Sequence, residues 1–283
     1  MTSLLQARRT AQGVDVPILG LGTVDLKGEA GVALIGAAIS CGYRHIDTAR
    51  KYGTEPEVGA AVRASGLPRE DFFIATKVPP DLLAHDDVLR SAEHSLRQLD
   101  LSYIDMLMIH WPKRGVPLAE TLSAFAELKQ RGVIRHIGVA NFPIALLEEA
   151  IQACPEPILT NQVEFHPYLD QRKVLEACRR LGVLLTAYSP IGRGVVLKDP
   201  VVVEIARNRG KTPAQVTLRW VIQQEGIIAI PRTGSPERLA ENAAIFDFAL
   251  TEAEMAEIGS LYRPDGRRAA PEDGPDWDSV GAA

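Results

Sequence analysis

The feature that most constrains this chain is an alternation. Short runs rich in apolar and β-branched residues are each followed by a longer stretch with helical periodicity, and the pair repeats eight times. The runs fall at 18–21, 44–47, 72–77, 104–110, 134–140, 159–164, 183–188 and 227–231. The periodicity predicts helices at 31–41, 55–65, 86–99, 118–131, 143–152, 171–181, 213–225 and 235–245, and two extra helices at 199–209 and 252–261. Eight strand–helix units favour an α/β fold closed as a (β/α)8 TIM barrel over an open sheet. The punctuation agrees. Gly42, Gly66, Gly132, Gly182 and Gly226 stand between a helix and the next strand, where a left-handed cap is expected. Thr212 with Gln215, and Thr251 with Glu254, have capping-box spacing, and Ser235-Pro236 opens a helix in the same way. Ala11-Gln12-Gly13 between two β-like runs predicts an N-terminal β-hairpin across the barrel base.

No Pro-, Gly- or Ser-rich linker divides the 283 residues, so the expectation is one domain over 1–283. Its core covers about 14–262, and the Gly-, Pro- and Asp-rich tail at 263–283 reads as an ordered loop or lid. Charge and apolar content narrow the function classes. A net charge of −5 argues against bulk nucleic-acid binding. No apolar run is long enough to span a membrane, and the N-terminus lacks the apolar core of a signal peptide. The three cysteines, Cys41, Cys154 and Cys178, are odd in number and widely spaced. They predict reduced, mostly buried thiols in a cytoplasmic protein. The six histidines are scattered, so no metal site is expected.

In such a barrel, chemistry collects at the C-terminal ends of the strands. Those ends read Gly22-Thr23, Asp47 with Tyr52 five residues on, Lys77, His110-Trp111, Ala140-Asn141, Gln162 with Glu164, Tyr188-Ser189, and Arg232-Thr233. Taken singly, an Asp caps turns, a Lys is solvated and a His is a satisfied core residue. Asp47, Tyr52, Lys77 and His110 at one mouth instead form a set that polarises and protonates a carbonyl oxygen. A neighbouring lysine favours the phenolate and is expected to lower the Tyr52 pKa. Asp47 pairs with that lysine, and His110 holds the carbonyl oxygen. The set holds no activated nucleophile, and hydride from a reduced nicotinamide supplies one. The other strand ends suit that cofactor. Tyr188 offers a stacking face, and Asn141 and Gln162 offer amides to a carboxamide. Ser189, Ile191, Gly192 and Arg193 suit a pyrophosphate. Arg232, Thr233 and Arg238 at a helix start suit a 2′-phosphate, hence NADPH/NADP+. Gly20-Leu21-Gly22 lacks the third glycine of a dinucleotide fingerprint. Two other readings remain: a Schiff-base lyase with Lys77 as the amine, and a non-enzymatic NADPH-binding interaction subunit.

Most of these residues, though not Lys77, lie in six ordered motifs: Tyr43 to Glu55 (YRHIDTARKYGTE), Leu99 to Pro112 (LDLSYIDMLMIHWP), Gly138 to Phe142 (GVANF), Asn161 to Pro167 (NQVEFHP), Ala187 to Gly192 (AYSPIG), and Ile230 to Asn242 (IPRTGSPERLAEN). Over about 14–262 the chain resembles the aldo-keto reductases. The resemblance implies a monomeric, NADP-dependent reductase of aldehydes and ketones, with a catalytic tetrad at Asp47, Tyr52, Lys77 and His110. It adds Pro231 and Gly234 beside Arg232, and Glu241 and Asn242 on the adenine side. Val24, Tyr52, His110 and Trp111 are the expected substrate contacts. Short loops and the tail are similar to bacterial members that reduce 2,5-diketo-D-gluconate and methylglyoxal. Ala140 stands where a serine is usual, Arg232 where a lysine is common, and Thr54 where an asparagine is common. Val24 stands where many relatives have an aromatic, which would widen the mouth.

Overall fold

The computed structural model describes residues 7–272 and 274–278. A hairpin, β1 (Arg8–Ala11) and β2 (Val14–Pro17), precedes the barrel. Its central pair Gln12 and Gly13 both take positive φ, 52° and 77°, which matches the twist of a two-residue hairpin. The eight barrel strands are β3 (Gly20–Gly22), β4 (His45–Asp47), β5 (Phe73–Val78), β6 (Ile104–Ile109), β7 (Ile134–Ala140), β8 (Ile158–Glu164), β9 (Leu184–Tyr188) and β10 (Ile227–Ala229). They form one parallel sheet in chain order. It closes where Leu19 bridges Ala229 in parallel and the Gly22 N–H donates to the Pro231 carbonyl at 3.0 Å. Gly22 suits that closure, because a Cβ there would lie 3.2 Å from the Ile230 carbonyl oxygen, tighter than an ordinary contact.

Helices cover the outside: α1 (Gly28–Ser40), α2 (Glu55–Ala64), α3 (His85–Leu99), α4 (Leu118–Gln130), α5 (Ile144–Ala153), α6 (Arg172–Arg180), α7 (Pro200–Arg209), α8 (Pro213–Gln223), α9 (Pro236–Ala243) and α10 (Glu252–Gly259). Here α7 and α10 are the two extra helices. Both capping boxes form, at Thr212 and Thr251, and the Ser235 hydroxyl accepts from the Arg238 N–H. The five cap glycines all take positive φ. Strands β5, β6 and β8 are buried at every residue, which is why they read as nearly continuous apolar runs and not as alternation.

The hairpin closes the base, as expected. The Arg9 guanidinium donates to the Ile222 and Gln224 carbonyls at 2.7 and 3.2 Å, satisfying the open C-terminal end of α8. The Gln12 amide donates to the Ile158 and Gly182 carbonyls, at the starts of β8 and β9. One expectation is corrected. Of the three thiols only Cys178 is buried; Cys154 is intermediate, and Cys41 is exposed at the end of α1. Spacing along a helix does not tell which side of its last turn a cysteine occupies. No helix of the described residues is long and apolar enough to cross a membrane.

Candidate active site

At the mouth, β4 ends on Asp47, β5 carries Lys77 as its fifth residue, and His110 follows β6. Tyr52 ends a single 3-10 turn, Arg50–Tyr52, which returns the chain over the strand ends. The Lys77 ammonium donates to Asp47 Oδ1 at 2.5 Å and to the Thr48 carbonyl at 2.8 Å. The other Asp47 oxygen accepts from the Gln162 amide, which reaches across from β8 at 2.8 Å. Lys77 is fully buried and Asp47 only 2% exposed, so this pair persists only because both carboxylate oxygens are satisfied. Lys77 Nζ lies 5.2 Å from the centre of the Tyr52 ring. The Tyr52 hydroxyl is 3.4 Å from His110 Nε2, and the rings meet edge to face.

Electrostatics assign protonation states. Burial, reinforced by the Lys77 and Lys51 charges, pushes the His110 imidazole down to about 3, so it is neutral. Burial lowers Lys77, opposed by Asp47. The expected lowering of the Tyr52 phenol is corrected: burial and then the Asp47 charge raise it, so the hydroxyl keeps its proton. Residue spacing showed the lysine and its Asp47 partner but not the desolvation, which outweighs the lysine.

A second chain of bonds runs along the far side. The Tyr188 hydroxyl donates to Asn141 Oδ1 at 2.9 Å, and the Asn141 amide donates to the His110 carbonyl at 3.0 Å. Asn141 (φ 65°), Ser189 (φ 48°) and Arg193 (φ 55°) all sit in the left-handed region, which costs a non-glycine residue energy. Strand ends β7 and β9 are thus bent into fixed, strained turns. Gly192 closes the second one, its N–H donating to the Ser189 carbonyl at 2.8 Å beside Ile191.

The phosphate-side candidates lie on the rim. Arg193, Arg232 and Arg238 are exposed, and none forms an ion pair among the described residues. Arg232 Nε donates to the Val24 carbonyl, and a cavity of about 450 Å³ opens beside Arg232, Gly234, Pro236 and Lys27. Thr233 is buried, and its hydroxyl accepts from the Ser235 N–H at 3.1 Å. The Glu241 carboxylate takes the Thr212 hydroxyl, and Asn242 is buried at 8% exposure. Val24 is 38% exposed at the rim, and Trp111 is half-buried. No group of three or more His, Cys, Asp or Glu able to hold a metal occurs among the described residues.

Sequence reasoning missed a buried hydroxyl chain beneath the cluster. Thr54 Oγ1 lies 3.0 Å from Thr23 Oγ1 and 2.9 Å from Thr48 Oγ1, and the Thr23 hydroxyl donates to the Asp47 carbonyl. Thr54, noted only as a departure, ties the first strand end to the residue whose carbonyl holds Lys77. Also missed were the buried pair Glu164 and His166, 2.9 Å apart, and the contact of Trp111 with Trp277. Both had a signal: a strand-end carboxylate, and a lone tryptophan in the tail.

A polar cluster on a parallel eight-stranded barrel defines an enzyme class, and the comparisons name it. Residues 18–263 match the model of the aldo/keto reductase family, and the chain belongs to that family. A glyoxal reductase of Bacillus subtilis (strain 168) is 38% identical over 263 residues, 93% of this chain and 95% of that protein. A protein crystallised under the provisional description 2,5-diketo-D-gluconic acid reductase B is 46% identical. It superposes with a TM-score of 0.94, over 96% of this chain and 98% of that one. An aldo-keto reductase of Bombyx mori, crystallised in complex with NADP, is 29% identical with a TM-score of 0.88, over 98% and 99% of the two chains.

Proposed function

We propose that this protein is an NADPH-dependent carbonyl reductase in which Tyr52 is the proton donor. The observation that carries the reading is the convergence of Asp47, Lys77, Tyr52 and His110, with a protonated phenol set against a neutral imidazole. Bound NADPH would supply the hydride. Tyr52 donates its proton to the carbonyl oxygen as negative charge develops there. The Lys77 ammonium, near the Tyr52 ring, stabilises the phenolate that remains, and Asp47 keeps Lys77 in place. His110 Nε2, on the same side as the Tyr52 hydroxyl, orients the oxygen. Being neutral, it does not compete as an acid.

The chain's own residues suit the dinucleotide. Tyr188, held by Asn141, offers a ring face to the nicotinamide, and Asn141 keeps amide capacity for its carboxamide. The Gln162 amide nitrogen already serves Asp47, so only its oxygen side remains for that carboxamide. The turn at Ser189, Ile191, Gly192 and Arg193 suits the pyrophosphate. Thr23 lines the first strand end beside Gly22. Arg232 and Arg238, cations without acidic partners among the described residues, suit the 2′-phosphate, with Pro231, Thr233 and Gly234 shaping the backbone there and Glu241 and Asn242 beyond. Val24 and Trp111 line the substrate entrance.

The substrates we assign are small dicarbonyls such as methylglyoxal or keto-sugar acids such as 2,5-diketo-D-gluconate. The relatives described as a glyoxal reductase and a diketogluconic acid reductase support this class. We further assign the chain as one cytoplasmic, monomeric domain. The decisive assay follows NADPH oxidation with both compounds, in the wild type and in Tyr52→Phe. The variant is expected to lose about 100- to 10,000-fold in kcat while NADPH affinity holds. Full kcat in the variant would remove Tyr52 from this role.

A further inference from the structure

The hydroxyls beneath the mouth form a closed run. Thr23, Thr48 and Thr54 are all fully buried. The Thr23 hydroxyl donates to the Asp47 carbonyl at 3.0 Å, and the Thr23 N–H reaches the same oxygen at 3.0 Å. A hydroxyl has one proton, so Thr23 can only accept from Thr54, at 3.0 Å. That commits the Thr54 proton, so Thr54 in turn accepts from Thr48, at 2.9 Å. The bonds therefore run from Thr48 to Thr54 to Thr23 to the Asp47 carbonyl. They start and end on the peptide unit that joins Asp47 to Thr48, and so they close a ring.

That same peptide unit cradles the lysine. The Lys77 ammonium donates to Asp47 Oδ1 and to the Thr48 carbonyl, one acceptor from each residue. The bond between Thr48 and Thr54 also closes the segment between them, and the 3-10 turn Arg50–Tyr52 lies inside it. Thr54 thus joins the cradle of Lys77 to the turn that carries Tyr52, whose ring centre is 5.2 Å from Lys77 Nζ. A second observation sets Thr54 apart. It is the N-cap residue of α2, and its carbonyl takes the Val58 N–H, yet its hydroxyl makes no capping bond. Thr212, Ser235 and Thr251 all cap their helices with the side chain. Thr54 forgoes that stabilising bond and turns its hydroxyl inward to the ring.

We infer that Thr54 is a positioning residue for the proton donor: its hydroxyl holds the Lys77 cradle and the Tyr52 turn in one frame. Removing that hydroxyl leaves the buried Thr48 donor without its acceptor and frees the peptide unit and the turn together. The Lys77 charge then meets a displaced phenolate, and in a dry site its stabilising effect falls with distance. This role rests on the carbonyl-reductase reading and adds to it a residue that acts only through Lys77 and Tyr52.

The test reads the single-turnover rate of NADPH oxidation, which leaves out product release, beside the Kd for NADPH. The substrate is whichever of methylglyoxal and 2,5-diketo-D-gluconate the wild type reduces. Thr54→Val keeps the shape and removes the hydroxyl. Its rate should fall by about tenfold or more, with the Kd within about twofold of wild type, since only the transfer step is touched. Thr54→Ser returns the hydroxyl and should recover the rate to within about threefold of wild type. Thr48→Val opens the same ring from its other side and leaves the carbonyl that holds Lys77 in place, so it should slow transfer by a similar factor. The double variant should be no slower than either single one, because a ring is broken only once. A wild-type rate in Thr54→Val would overturn the inference. So would a Thr54→Ser variant that stays slow, or a double variant that combines both single losses, which is what independent packing effects would give. A wild type that oxidises NADPH with no carbonyl compound is a separate failure: it would remove the reductase reading and this role with it.

Discussion

The two halves of the barrel mouth are built in opposite ways. At the ends of β4, β5 and β6 the polar groups are buried and bonded to one another: Asp47 to Lys77 and Gln162, Lys77 to the Thr48 carbonyl. On the rim around β9 and β10, Arg193, Arg232 and Arg238 are exposed and form no ion pair among the described residues. The difference separates two tasks. The proposed proton transfer needs groups held in place before the substrate arrives, and the protein itself clamps Asp47 and Lys77. The proposed grip on a polyanion needs cations whose partner is the ligand, and these three form no ion pair among the described residues.

The comparison breaks most visibly at Lys77. Lys77→Met strands Asp47 as a buried carboxylate with one amide partner, and should cost about 3–5 kcal/mol of stability along with nearly all turnover. Denaturant titration and kcat measure both; a variant as stable as wild type would mean that the pair is not the clamp described.

Acidification separates the mouth from the base. Burial holds His110 down to about 3 and, at the base, His45 down to about 4. Both lie below the usual unfolded value of about 6.5, so the unfolded chain takes up protons first and stability falls as pH drops below that value. The loss should be about 2 kcal/mol for each between pH 7 and 5. His45 is fully buried, so His45→Gln, which cannot take up a proton, should make the melting temperature less sensitive to acid. An unchanged pH profile would show that His45 does not carry this term.

On the rim the effect moves from stability to ligand choice. Arg232→Ala or Arg238→Ala should weaken NADPH by about tenfold or more and NADH far less, with thermal stability unaltered. Equal weakening of both dinucleotides would move the 2′-phosphate elsewhere. The smallest effect belongs to neither half. Thr251→Ala removes the α10 capping box and should cost about 1 kcal/mol, with kcat unchanged.

Most of the framework was legible in the chain because it rests on local rules. Strand β7 falls at 134–140 as expected, and the other strand boundaries move by no more than a few residues. Gln12-Gly13 announced the hairpin, and the strand ends named the cluster. What stayed hidden depended on contacts between distant segments. The amide of Gln162 was assigned to a cofactor, yet its nitrogen serves Asp47, 115 positions away. Thr54 looked like a departure and proves to be a link in a buried hydroxyl chain. The tail read as a lid, but nothing in its composition said that Glu164 would hold it or that Trp277 would meet Trp111.

The sequence by itself determined the barrel and the polar identity of each strand end, because the periods of strand and helix and the chemistry of caps act within a few residues. Only the tertiary structure decided which protons stay on. Tyr52 and His110 are displaced in opposite directions mainly by loss of water, and the depth of a group beneath its neighbours is a property of the packed whole.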